Sequence, residues 1–154
     1  MNIRQAKKID SEIVTQMVSD LMIEFGFPEF DGRNLDKIYQ GMVGGGKHGF
    51  VMLAESDDTI CGICTVSFVV SLRTRGVYGI VQEMYILPEL RGQRIGAKML
   101  ISTIEYAQSV GAGQFKRINL KGERLDNYLI LLWSGREDLN LRLPAPKAGF
   151  LSGT

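Results

Sequence analysis

Charge of a dominant sign is missing from this chain: 18 Lys and Arg stand against 17 Asp and Glu in 154 residues. That balance leaves no broad basic field for nucleic acid or an anionic membrane, so any phosphate site has to be local. Long apolar runs are missing too. None approaches the ~20 residues that span a bilayer, and Met1-Asn-Ile-Arg-Gln-Ala-Lys-Lys8 lacks the apolar core and small-residue cleavage site of a secretory signal. The expectation is a cytoplasmic protein. Histidine and cysteine are scarce: His48 stands alone, and Cys61 and Cys64 form one Cys-x-x-Cys. With no second pair and one histidine a zinc site is not completed, and no metal is expected. A Ser-His-Asp triad through His48 lacks any supporting nucleophile motif. The two thiols fall in a strand-like run, Thr59 to Leu72, where residues three apart point to opposite faces, and they read as buried core thiols.

What is present is enough for one core. A chain of this length buries roughly 68–70% of its unfolded surface, and a single domain over residues 1–154 is expected, its last part, 122–154, being atypical. Ile3 to Ala6 reads as a short strand. Asp10 is placed to cap a helix in which Ile13, Met17, Leu21 and Phe25 recur every four residues, widened by Val14, Val18 and Met22 and stopped at Gly26-Phe-Pro28. A shorter helix follows near Leu35 to Met42. Strands are expected at Phe50–Glu55 and Ile60–Leu72, joined by a turn at Ser56-Asp57-Asp58, then at Val77–Leu87 and, after a helix near 96–110, at Phe115–Lys121. That order is α/β with a mixed central β-sheet flanked by helices. One rival motif interrupts it: Gly41-Met-Val-Gly-Gly-Gly-Lys-His48 nearly spells a nucleotide-binding P-loop. It lacks the terminal hydroxyl residue and precedes a strand instead of opening a helix, so it reads as a connection.

The most informative stretch is Val81-Gln-Glu-Met-Tyr-Ile-Leu-Pro-Glu-Leu-Arg-Gly-Gln-Arg-Ile-Gly-Ala-Lys-Met-Leu100. A β-rich run ends at Pro88, passes through a basic, glycine-containing turn and enters a helix whose Met99, Leu100, Thr103, Ile104, Ala107 and Val110 share a face, with Gly111 placed to cap it. The first amides of a helix have no intrahelical acceptors and sit at the positive end of its dipole. Gly92 and Gly96 allow close backbone approach, and Arg91 and Arg94 add charge, so the turn is a candidate anion site.

This segment resembles the coenzyme A signature of the GNAT superfamily of N-acetyltransferases, a hydrophobic strand, a proline, then Arg/Gln-x-x-Gly-x-Gly/Ala opening a helix. Arg91-Gly-Gln-Arg-Ile-Gly96 supplies the first and last positions, while Arg94 stands in place of the middle glycine and is expected in a right-handed or extended backbone. The likeness extends over residues 1 to about 121. It implies the GNAT-like fold and transfer of an acetyl group from acetyl-CoA, as cosubstrate, to the primary amine of a small molecule or peptide by direct attack. By the same resemblance, backbone groups of Met84, Tyr85 and Ile86 pair with the pantetheine arm, and amides of Gln93, Arg94, Ile95, Gly96 and Ala97 wrap the pyrophosphate. Glu83 is the implied base, either that or a carboxylate paired with a neighbouring cation or bordering the sheet; strand alternation groups it with Val81 and Tyr85.

Beyond residue 121 the pattern departs from the family. Tyr128 is either the acid that protonates the departing thiolate or a core or interface aromatic, and Leu129 to Trp133 reads as a buried strand, apolar enough to bury in a homodimer or to add to a sheet edge. From Ser134 the periodicity is weak, as in a remodelled or out-of-frame terminus. Glu24, Glu29, Asp31 and Asp36 lie where the family holds its acceptor and favour a cationic amine only if they are not ordinary solvated charge. The main alternative is a catalytically impaired GNAT-like domain that binds acyl-CoA as a sensor.

Overall fold

The computed structural model describes residues 1–72, 76–110, 114–115 and 132–133. Three long strands form its centre: β2 (Gly49–Ser56), β3 (Thr59–Ser71) and β4 (Gly76–Ile86), paired antiparallel in sequence order. Asp57 and Asp58 join β2 to β3 with φ of 50° and 60°, the left-handed turn geometry that matches the twist of a hairpin. β1 (Asn2–Gln5) adds antiparallel to β2, whereas β5 (Gln114–Phe115) and β6 (Leu132–Trp133) add parallel to β4. The sheet is therefore mixed, as expected, with the order β1-β2-β3-β4-β5 and β6 also on β4.

Helices cover both faces. α1 (Ser11–Glu24) and α2 (Leu35–Val43) pack on one, where Val14, Met17, Leu21 and Tyr39 meet Val51, Leu53, Ile63 and Tyr85. α3 (Ile95–Ser109) packs on the other, with Ile95, Met99, Leu100 and Ala107 against Phe50, Met52, Val66, Val81 and Met84. Alternation along β2 serves both cores at once, which is why its apolar run is unbroken. Each large side chain so buried contributes about 1.5–3 kcal/mol.

Four local expectations change. Asp10 precedes α1 but makes no side-chain cap; its carboxylate takes both terminal nitrogens of Arg4, at 2.9 Å each, and the Lys7 amide at 2.7 Å. A charged bidentate partner outcompetes a neutral helix amide. Ile13 sits at the rim of the α1 stripe, 37% exposed, because a four-residue repeat drifts around a 3.6-residue helix. Val110 lies at the end of α3 and is exposed. Cys61 and Cys64, expected on opposite faces, share the α3-side core, since a register shift in the β2–β3 ladder between Ala54 and Glu55 leaves Cys61 as the extra residue and breaks the alternation there. Both thiols are free and buried, and burial pushes the Cys64 thiol up to about 12.

The glycine-rich link leaves α2 at Val43 and enters β2 at Gly49. Helix-to-strand polarity is the reverse of a P-loop, so that reading is excluded. Gly49 is required there: its φ is +149° and a Cβ would stand 1.9 Å from the Val66 carbonyl oxygen. Among the described residues no helix is long and apolar enough to cross a membrane. Gly111, Tyr128 and most of the expected strand at 115–121 lie outside the described residues.

Candidate active site

After β4 the chain makes a short 3-10 turn, Pro88–Leu90, held by Leu90 N–H to Leu87 O at 2.9 Å. Proline at its first position removes an amide that would have no partner there. Arg91 is then extended, Gly92 is left-handed at φ +77°, and Arg94, the residue before α3, is left-handed as well at φ +60°. The expectation of a right-handed or extended Arg94 is thus corrected. The turn from Gly92 into α3 needs the left-handed geometry that glycine supplies freely, and an arginine there costs about 1–2 kcal/mol. Arg94 makes no side-chain cap, and no acidic residue occupies the first turn of α3. The first α3 amides, at Ile95, Gly96 and Ala97, begin a helix with no intrahelical acceptor of their own and with Arg94 and Lys98 exposed beside them. Such an end favours an anion.

The second half of the site is a β-bulge. Cys64 pairs with Met84 and Val66 with Val81, so Thr65 alone stands opposite Gln82 and Glu83. Two residues against one break the alternation. Val81 consequently turns into the α3-side core with Met84, and Glu83 does not share its face as alternation had suggested. The Glu83 amide donates to Thr65 Oγ1 at 3.1 Å, and the Thr65 hydroxyl donates to the Glu83 carboxylate. Thr65 is 4% exposed. Burial raises the Glu83 carboxyl above the usual carboxylate range, and the Thr65 hydroxyl bond opposes that rise. Thr65 was not legible as a site residue, because in sequence it is one more β-branched residue in a strand.

The remaining candidates are distributed as follows. Leu87 N–H donates to Cys61 O at 3.0 Å, so by strand alternation Tyr85 also turns its peptide groups toward β3, while Met84 and Ile86 turn theirs to the opposite edge. On that edge Glu83 and Met84 are in parallel register with Leu132 and Trp133, and the Ile86 carbonyl accepts Arg91 Nε at 3.0 Å. Arg91 also grips Glu24 with both terminal nitrogens, at 2.8 and 2.7 Å, and its guanidinium lies 5.4 Å from the Tyr85 ring centre. Of the acidic residues on the α1–α2 side, Asp31 is paired with Arg33 and Asp36 with Ser11 and Gln40. These are solvated or structural pairs, which weakens the reason for favouring a cationic acceptor. Among the described residues no cluster of His, Cys, Asp and Glu is suited to a metal ion.

A sequence model of the Acetyltransferase (GNAT) family matches residues 14–128, most of the chain. The chain belongs to the GNAT family. An uncharacterized N-acetyltransferase of Archaeoglobus fulgidus is 34% identical over 77 residues, 49% of this chain and 51% of that protein, so the chain spans about half the length of this curated relative. Among solved structures, an integron cassette protein from the mobile metagenome of Cole Harbour Salt Marsh superposes with a TM-score of 0.68 at 17% identity, over 96% of this chain and 91% of the other. A predicted acetyltransferase from Clostridium acetobutylicum, solved with acetyl-CoA, gives 0.66 at 19% identity over 93% and 95%. An aminoglycoside acetyltransferase from an uncultured soil metagenomic sample, in complex with sisomicin, gives 0.62 at 14% over 89% and 80%. At these identities the structures establish the GNAT fold alone.

Proposed function

We propose that the chain is a single-domain, acetyl-CoA-dependent N-acetyltransferase acting on a primary amine of a small molecule or peptide. The observation that carries this is a half-buried, bulge-held carboxylate, Glu83, on the strand that leads directly into the uncapped, basic start of α3. The residues fit the cosubstrate: left-handed Gly92 and Arg94 and the first α3 amides suit a pyrophosphate. Acetyl-CoA would supply a thioester carbonyl carbon to which the amine nitrogen bonds as the carbon–sulfur bond breaks. An amine protonated at neutral pH is no nucleophile. Glu83 therefore takes its proton, directly or through water, and a raised carboxyl is better matched to that task than an ordinary one. The departing thiolate needs a proton in turn, and Tyr128, from the sequence, is the candidate donor.

A screen of amines for thiol release from acetyl-CoA tests the proposal, with Glu83→Gln expected to keep coenzyme binding and lose acetylation most strongly below neutral pH. Unchanged turnover across pH would remove Glu83 from the mechanism. One observation favours a second reading, a GNAT-like domain that binds acyl-CoA without turnover: Leu132 and Trp133 pair with Glu83 and Met84 on the edge where a pantetheine arm would lie. Coenzyme binding without thiol release for any amine identifies that sensor. The same proposal places the protein in the cytoplasm, without nucleic-acid or membrane partners; of the two uses open to the apolar segment 129–133, the pairing of Leu132 and Trp133 with β4 favours sheet addition over a homodimer contact.

A further inference from the structure

Arg91 carries a charge that the sequence assigned to the phosphate site, yet its guanidinium is engaged elsewhere. Both terminal nitrogens are bound to the two oxygens of Glu24, the last residue of α1, 67 positions away. Its Nε–H donates to the carbonyl of Ile86, the last residue of β4, and its plane stands over Tyr85. A carboxylate at a helix C-terminus opposes the helix dipole, so Glu24 is an unfavourable choice for α1 unless a cation meets it. Arg91 is that cation. Both side chains are about a third exposed or less, at 27% and 35%, and the fork geometry fixes direction as well as distance. One residue thereby ties the end of α1, the end of β4 and the first residue of the turn that opens α3.

We propose that Arg91 is a positioning residue: it sets the coenzyme turn against α1 and β4, and leaves contact with the phosphates to the α3 amides and Arg94. The inference rests on the reading of that turn as the pyrophosphate site. Its consequence is that Glu24, which is far from the turn in sequence, matters to coenzyme binding as Arg91 does. A pyrophosphate must meet several amides at once, so a small rotation of the turn weakens all of those contacts together.

Calorimetric titration of coenzyme A into the full chain, repeated at several salt concentrations, distinguishes this from direct phosphate contact. Arg91→Ala and Glu24→Ala should both weaken binding, by roughly two- to thirtyfold, the range for residues that modulate a site without touching its ligand. The double variant should be no weaker than the worse single one. The salt dependence should stay that of the wild type in all three and flatten only in Arg94→Ala. Direct contact predicts opposite signs: Glu24→Ala would free Arg91 and tighten binding, Arg91→Ala would loosen it, and the salt slope would fall. That pattern overturns the proposal while leaving the coenzyme site intact. Arg91→Lys covers the case of a poorly folding alanine variant. It keeps a point charge but not the fork, so it should fall toward Arg91→Ala, and wild-type affinity in the lysine variant also overturns the proposal. A wild-type chain without affinity for coenzyme A overturns the function reading itself, and this inference with it.

Discussion

Replacing Thr65 by valine removes one oxygen atom and leaves the shape of a buried side chain almost unchanged, so its effects isolate the bulge chemistry. Two bonds are lost: the hydroxyl donated to the Glu83 carboxylate and the oxygen that accepted the Glu83 amide. A hydrogen bond to a charged group is worth about 1.5–3 kcal/mol, and one pKa unit corresponds to about 1.4 kcal/mol. The Glu83 carboxyl, already raised by burial, should therefore climb further once the hydroxyl bond that opposed the rise is gone. The titratable group that feels the Glu83 charge is the buried Cys64 thiol on β3, which burial keeps neutral near pH 7, so it does not compensate.

The sign follows from linkage. A carboxyl raised in the folded state leaves the protein most stable while protonated and costs stability as pH rises through the folded value. The stability gap between wild type and Thr65→Val should thus widen from acidic pH, where Glu83 is protonated in both proteins, to alkaline pH, where it is charged in both, by roughly 1.5–3 kcal/mol. The orphaned Glu83 amide adds a pH-independent loss of about 1–3 kcal/mol. Carboxyl-detected NMR titration of Glu83 and urea unfolding at the two pH values read these separately, and Thr65→Ser, which keeps the donor, should restore both. In turnover the acid limb of the pH profile moves up with the carboxyl. An unmoved or lowered Glu83 midpoint in Thr65→Val, or a stability gap that does not change with pH, would refute the reasoning.

Further expectations come from elsewhere in the molecule. Gly96→Val should abolish coenzyme A binding in calorimetry while Arg94→Ala only weakens it, because successive amides and not one exposed charge hold the pyrophosphate; equal affinity for wild type and Gly96→Val would sink the turn assignment. Arg94→Gly should relieve the left-handed strain and raise stability by up to about 1 kcal/mol in urea unfolding. Asp10→Asn should cost about 1.5 kcal/mol at neutral pH, and the deficit should vanish as pH falls through the lowered Asp10 value, since Arg4 depresses that carboxyl and its stabilisation exists only while it is charged. Gly49→Ala should destabilise by on the order of 3 kcal/mol, from positive φ and the Val66 carbonyl together, as read by the thermal midpoint.

How much of this was legible beforehand can be argued from single residues. The helix at 95–109, the Asp57-Asp58 turn, the α1 stripe and the strand-to-helix turn at Arg91 are set by side-chain period, by turn chemistry and by the missing partners of helix-end amides. Those properties act between residues a few positions apart, and the sequence alone determines them. The Thr65–Glu83 pairing, the shared core face of Cys61 and Cys64, the diversion of Asp10 to Arg4 and the grip of Arg91 on Glu24 were decided by the tertiary structure. Each depends on which residue of one strand or helix comes to stand opposite which residue of another. A single inserted position in a ladder reverses every face beyond it, and a charge chooses among all the partners the fold brings within reach. Local periodicity contains neither.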